Sequence, residues 1–205
     1  MTAPVWPTVM VTGHRPQHLR PDSLHVWVRS ELDRLALKLR DVHGMTCGIS
    51  GMAIGADLWW ADSLVKAAVP FVAHIPFPQQ PDPWRESNPE AVAEWHRLRA
   101  LAASVVPYGD LAGLAEHARK RVAVKLLHER NDGMLNATAQ ANGAVVAVWC
   151  PSKRDGGTFS ALKKAHRAGR PVILVNPEAR TTTMPSRDRL ADLLYPHRPQ
   201  PLIDA

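Results

Sequence analysis

The chain has 205 residues, enough for one domain with its own hydrophobic core. Apolar residues make up 45% and charged residues 21%, and no run of about 18 apolar residues occurs, so ordinary globular usage is met and a transmembrane helix is excluded. The formal charge of +6 comes from basic residues spread along the chain, which favours attraction of a small anionic ligand over a clustered nucleic-acid footprint.

The first residues, Met1 to Pro7, lack a basic stretch followed by an apolar one, so a secretory signal is not expected. Two cysteines, Cys47 and Cys150, do not make a disulfide framework and have no metal-ligand spacing. A reducing cytoplasmic setting is the expectation, with no metal and no resident cofactor.

Short apolar runs alternate with helical stretches, the pattern of a parallel sheet covered by helices. Thr8 to Thr12 is the first strand and runs into the turn Gly13-His14-Arg15-Pro16. Leu24, Val28, Leu32, Leu35, Leu39 and Val42 then recur at steps of three and four, one face of a helix that Gly44 stops. Met45 to Ser50 is the second strand. It leads through Gly51 to Asp57 into a helix with Leu58, Ala61, Leu64, Val65 and Ala68 on its buried stripe. Trp59 and Trp60 on that helix are expected in the core or in a dimer contact. Pro70 ends the helix, and Phe71 to Ile75 is the third strand.

Pro76, Pro78, Pro81, Pro83 and Pro89 make the next segment a loop, ordered by Phe77 and Trp84. A helix from about Glu90 to Ala103 precedes a fourth strand at Ser104 to Pro107. A helical stretch from Leu114 to His128 is expected to end before Glu129-Arg130-Asn131, with a separate short helix reaching Ala141. The fifth strand is Ala144 to Trp149. Asp155-Gly156-Gly157-Thr158 opens a helix that Gly169 caps, and Val172 to Val175 is the sixth strand. The expected fold is therefore α/β and Rossmann-like. It has three layers, a mostly parallel sheet of about six strands and a domain spanning residues 1–176. Residues 177–205 read as a polar tail with a weak helix near Arg187 to Leu194, packed on the domain or swapped onto a neighbour.

Three glycine-bearing turns follow strands and precede helices: Thr12-Gly13, Gly51 to Asp57, and Gly156 to Thr158. In a parallel sheet they share one rim, where ligands bind. Glycine lets a backbone approach a phosphate, and a helix N-terminus offers free N–H groups with a positive dipole end. No Walker A pattern and no G-x-G-x-x-G is present, so neither an ATPase nor a standard NAD site is indicated. Arg15 and Arg130 flank these turns and suit a phosphate or carboxylate. Asp57 either stabilises its helix start or meets a ribose hydroxyl. Trp84 either stacks on a base or staples its loop to the domain. Cys150 and His128 read as a packed thiol and a surface histidine.

These residues resemble the SLOG superfamily, the Rossmann-like group that contains DprA-type DNA-processing proteins and LOG-type phosphoribohydrolases, and look closest to its YpsA-like branch. The resemblance rests on five motifs in order from about Val9 to Val175. They are T-G-H-R-P at Thr12 to Pro16, S-G-x-x-x-G-A-D at Ser50 to Asp57 and P-F-x-x-Q-x-x-x-W at Pro76, Phe77, Gln80 and Trp84. R-N-x-x-M follows at Arg130, Asn131 and Met134, and G-G-T at Gly156 to Thr158.

The resemblance implies a site at the strand ends made of Thr12, Gly13, Arg15, Ser50, Gly51, Gly55, Ala56, Asp57, Trp84, Arg130, Asn131, Gly156, Gly157 and Thr158. It also implies nucleotide-derived ligands and frequent homodimers. LOG-type enzymes are similar at His128-Glu129-Arg130-Asn131 and Met134, but their glutamate after the G-T turn is replaced here by Ala161. That carboxylate assists glycosidic cleavage, and alanine does not. The expected function is binding or sensing of a nucleotide-derived small molecule. A nucleoside-monophosphate N-glycosidase is the alternative and needs a substitute carboxylate, Asp57 or Asp155. DNA binding of the DprA type ranks third, and a membrane is not an expected partner.

Overall fold

The computed structural model describes residues 3–196. The elements run β1 (Thr8–Gly13), α1 (Ser23–His43), β2 (Cys47–Ser50), α2 (Ala56–Lys66), β3 (Phe71–Ile75), α3 (Pro89–Leu101) and β4 (Ser104–Pro107). They continue with α4 (Glu116–Gln140), β5 (Ala144–Val148), α5 (Gly156–Arg167), β6 (Val172–Asn176), β7 (Thr181–Thr183) and α6 (Arg187–Leu194). The sheet order is β4-β3-β2-β1-β5-β6-β7, parallel throughout except for β7.

The architecture is the expected three-layer α/β fold. Residues of β1 and β5 are buried on both faces, so each strand feeds two cores by simple alternation. Val9 and Val11 of β1, with Ala144, Val146 and Val148 of β5, pack beneath α1, α2 and α3. Met10, Val145 and Ala147 pack beneath α4, α5 and α6. Trp60, Trp95 and Trp149 are almost fully buried, and each large apolar side chain taken from water contributes about 1.5–3 kcal/mol. Trp59 is core as well, at 8% exposure.

Four expectations are corrected. The sheet has seven strands, because Thr181–Thr183 pairs antiparallel with β6 through Leu174 to Asn176. This short β-branched run lies in the segment read as tail. There α6 also packs, burying Leu190 and Leu194 in the α4–α5–α6 core. The segment between Leu114 and Ala141 is one helix, α4, unbroken at Asn131 and Gly133. Val42 lies on the exposed side of α1, and Ala68 is exposed beyond the end of α2. Gly44 stops α1 as expected, in the left-handed conformation at φ 63°.

Chain order reverses at β1, which has β2 on one side and β5 on the other. At such a switch point the loops leaving the two strands part in opposite directions and open a crevice beyond the strand ends.

Candidate functional site at the β1–β5 switch point

A cavity of about 560 Å³ fills that crevice. One wall is the loop from β1, the second is the β5–α5 loop with the first turn of α5, and the third is the middle of α4. The α5 wall is built to receive an anion. Asp155 sits extended at the N-cap but makes no side-chain capping bond, so the first-turn N–H groups are left free. Gly156 has φ +75°, a conformation that favours glycine, and an added Cβ there would meet nothing within 4 Å. Thr158 is buried at 8% exposure and lines the cavity.

Cations converge on the same space. Arg15 stands exposed at the rim, and Lys153 and Arg154 precede the glycine turn. Lys153 Nζ lies 3.2 Å from Nδ1 of His18, and the His18 ring is 5.9 Å from that of His14. His14 is buried at 6% exposure, and its Nε2 has no hydrogen-bond partner among the described residues. Burial, reinforced by His18 and Lys153, lowers the His14 pKa to about 4.

The floor is an ion pair. Nη1 of Arg130 donates to Oδ2 of Asp57 at 2.9 Å, with side-chain exposures of 7% and 10%. Burial pushes the Asp57 carboxyl upward, and the Arg130 guanidinium opposes that. The pair fits because residue 51 is glycine. A Cβ on Gly51 would overlap Nη1 of Arg130 and lie 2.7 Å from Oδ2 of Asp57. The turn around it is fixed by Ser50, whose Oγ donates to the Asp57 carbonyl at 2.7 Å and accepts from Met52 N–H at 3.1 Å. Gln80 Nε2 donates to the Gly51 carbonyl at 3.0 Å, and Gln80 Oε1 accepts from Trp95 Nε1 at 3.2 Å. Beside the pair, Nδ1 of His74 and the Tyr108 hydroxyl lie 2.7 Å apart. Burial and the nearby Arg130 charge lower the His74 pKa to about 4, and burial raises that of Tyr108.

Of the 14 expected site residues, nine line the cavity: Thr12, Gly13, Arg15, Asp57, Arg130, Asn131, Gly156, Gly157 and Thr158. The other five do not, and each has a packing reason. Ser50 and Gly51 form the turn beneath Arg130. Gly55, at φ +100°, sits where a Cβ would be 2.8 Å from the His14 carbonyl. Ala56 is buried against Gly13, and a Cβ on Gly13 would overlap it. Trp84 packs against the core beneath α1 to α3 and staples its loop.

The sequence reading missed His14, His18, Lys153 and Arg154 as lining residues. Their signal was adjacency, since they flank Gly13 and Gly156 in the same turns. His128 is exposed and lines the α4 wall, whereas Cys150 is buried and its thiol is pushed up to about 11. Ala161 also lines the cavity.

No family model matches the sequence, and no curated protein matches it. Among solved structures the chain is similar to the X-ray structure of DNA processing protein A (DprA) from Streptococcus pneumoniae. The TM-score is 0.50 at 15% sequence identity, over 93% of this chain and 55% of that one. The fold is DprA-like. The chain therefore spans about half the length of that protein. Within this DprA-like fold the cavity occupies the strand-order switch point, and no helix of the described residues is long and apolar enough to cross a membrane.

Proposed function

We propose that the chain binds a nucleotide or nucleotide-derived small molecule in the switch-point cavity, with its phosphate at the first turn of α5 and the remainder along α4. The observation that carries this reading is convergence. Uncapped α5 amides, two open glycines, Arg15 and Lys153 face one cavity of about 560 Å³. That volume lies in the range that small-molecule sites use. The YpsA-like branch is the finer family assignment we propose, on the five ordered motifs.

Binding or sensing is favoured over base–ribose cleavage. Asp57 is tied to Arg130, and Ala161 stands on the cavity wall where LOG-type enzymes carry a glutamate. The test is thermal unfolding against nucleoside monophosphates, cyclic nucleotides, ADP-ribose-type compounds and NAD, with an assay for released base. A ligand at about 100 times its Kd adds about 2.7 kcal/mol. For this length that is a Tm rise of roughly 5–11 °C. The reading predicts such a rise without base release, abolished by Arg15→Ala with Lys153→Ala. Base release contradicts the non-enzymatic reading. A shift produced only by DNA, falling steeply with salt, replaces the small-molecule reading with nucleic-acid binding.

A further inference from the structure

We propose that Val124 of α4, backed by Leu127, is the ledge that receives the base of a nucleoside monophosphate whose phosphate sits at the first turn of α5. This rests on the phosphate-binding reading above. It adds a base-binding residue to that reading and makes the base, as well as the phosphate, part of what is recognised.

The exposure of Val124 is what points to it. Nine large apolar side chains are exposed among the described residues, and Val124, at 48%, is the one that lines the cavity. It belongs to none of the three buried apolar clusters. Its surroundings on α4 are polar, since Arg121, Lys125 and His128 are exposed as well. An aliphatic side chain left in water at the wall of a cavity gains by being covered with the apolar face of a ligand. No Phe, Tyr or Trp of the described residues lines the cavity, so this aliphatic ledge is the flat contact it offers to a base.

The spacing along α4 sets where the ledge lies. Val124, Leu127, His128 and Asn131 stand at i, i+3, i+4 and i+7, which is one stripe of a helix, and all four line the cavity. Leu127 is half-buried against the cluster of Phe77, Leu111 and Leu126, so the wall beside Val124 is fixed. The other end of the stripe meets α5. A Cβ on Gly157 would lie 3.9 Å from Nδ2 of Asn131, and Lys164 pairs with Asp132 to hold the two helices together. Asn131 therefore stands beside the phosphate position. Val124 is seven residues nearer the N-terminus, about 10 Å along the helix axis. That direction is outward, because α4 follows the carboxyl end of β4 and its first turns stand beyond the strand ends. A ribose carries its base across a gap of that size, so a monophosphate seated at Gly157 brings its base to Val124.

The probes are adenosine and guanosine 5′-monophosphate against ribose 5-phosphate, which has the same phosphate and sugar but no base. Affinities of the full chain are measured by calorimetry for wild type, Val124→Asn and Val124→Ile. All three side chains are uncharged, so the field at the phosphate is unchanged. Covering a valine is worth about tenfold in affinity. Wild type and Val124→Ile are therefore expected to bind at least one of the nucleotides about tenfold more tightly than ribose 5-phosphate. Val124→Asn is expected to lose most of that preference while its ribose 5-phosphate affinity stays the same. A preference that survives Val124→Asn, or equal wild-type affinity for nucleotide and ribose 5-phosphate, overturns the ledge and leaves the phosphate reading standing. So does an equal loss for both ligands in Val124→Asn, which would show an effect on the cavity and not on the base. Absence of binding of all three compounds to wild type overturns both readings.

Discussion

Arg130 is one residue asked to serve two demands, and the structure shows which one governs its burial. Its Nη1 is held by Asp57 over a notch that only glycine at position 51 leaves open, while its Nε finds no partner among the described residues. Removing one member of a buried pair strands the other charge, at about 3–5 kcal/mol. Arg130→Met is therefore expected to lose about that much at pH 7.5. The loss has a definite pH sign. Burial already raises the Asp57 pKa, and deleting the opposing guanidinium raises it further above the unfolded value. A group with a raised folded pKa contributes stability below its unfolded pKa and loses it as pH rises through the folded one. The deficit of Arg130→Met relative to wild type is thus smaller at pH 4.5 than at pH 7.5, as urea midpoints at the two pH values will read; equal deficits contradict the account. At this scale the sequence was half legible. Asp57 and Arg130 stood out as site residues, but nothing local shows that two residues 73 apart form an ion pair. Gly51 and Gly55 were assigned to phosphate approach for the same reason. A glycine that admits a distant side chain is indistinguishable in sequence from one that admits a ligand.

At the scale of elements, α4 is the helix on which periodicity and punctuation disagreed. The stretch from Leu114 to His128 was expected to end before Glu129-Arg130-Asn131, with a separate short helix beyond, yet Glu116–Gln140 is continuous. Gly133 is there because a Cβ would overlap the Tyr108 hydroxyl, which lies beside His74. Helix propensity alone favours Gly133→Ala by about 1 kcal/mol. The structure predicts the opposite sign, a fall in Tm, because the added methyl displaces Tyr108 from the strand ends; a rise in Tm contradicts this account of the helix. The N-termini of the helices show a second contrast. Asn88 accepts from Ala91 N–H at 3.0 Å and Ser186 from Arg189 N–H at 3.2 Å, whereas Asp155 caps nothing. The N-caps of α1, α2 and α4 likewise make no side-chain capping bond, and it is the first turn of α5, Gly156 to Thr158, that lines the cavity.

For the molecule as a whole, strand order and burial made the fold readable. Six parallel strands, their intervening helices and even α6 fell close to their expected positions, because buried strands and amphipathic helices write their periods directly into the sequence. β7 escaped notice since three threonines at a sheet edge carry no alternation, and their pairing with β6 is tertiary. The switch point between β1 and β5 was equally invisible until strand order was known. Yet it is what gathers Thr12 to His18 and Ser152 to Thr158 around one space. The central claim is that this space, at the α5 end, holds the phosphate of a nucleotide-derived ligand. Amide chemical-shift mapping of the full chain during titration with a nucleoside monophosphate tests it most directly. The account predicts the largest shifts at Gly156, Gly157, Thr158 and the Gly13–Arg15 turn, and much weaker ones with the matching nucleoside. Shifts confined to other faces of the domain, or identical with and without the phosphate, contradict it.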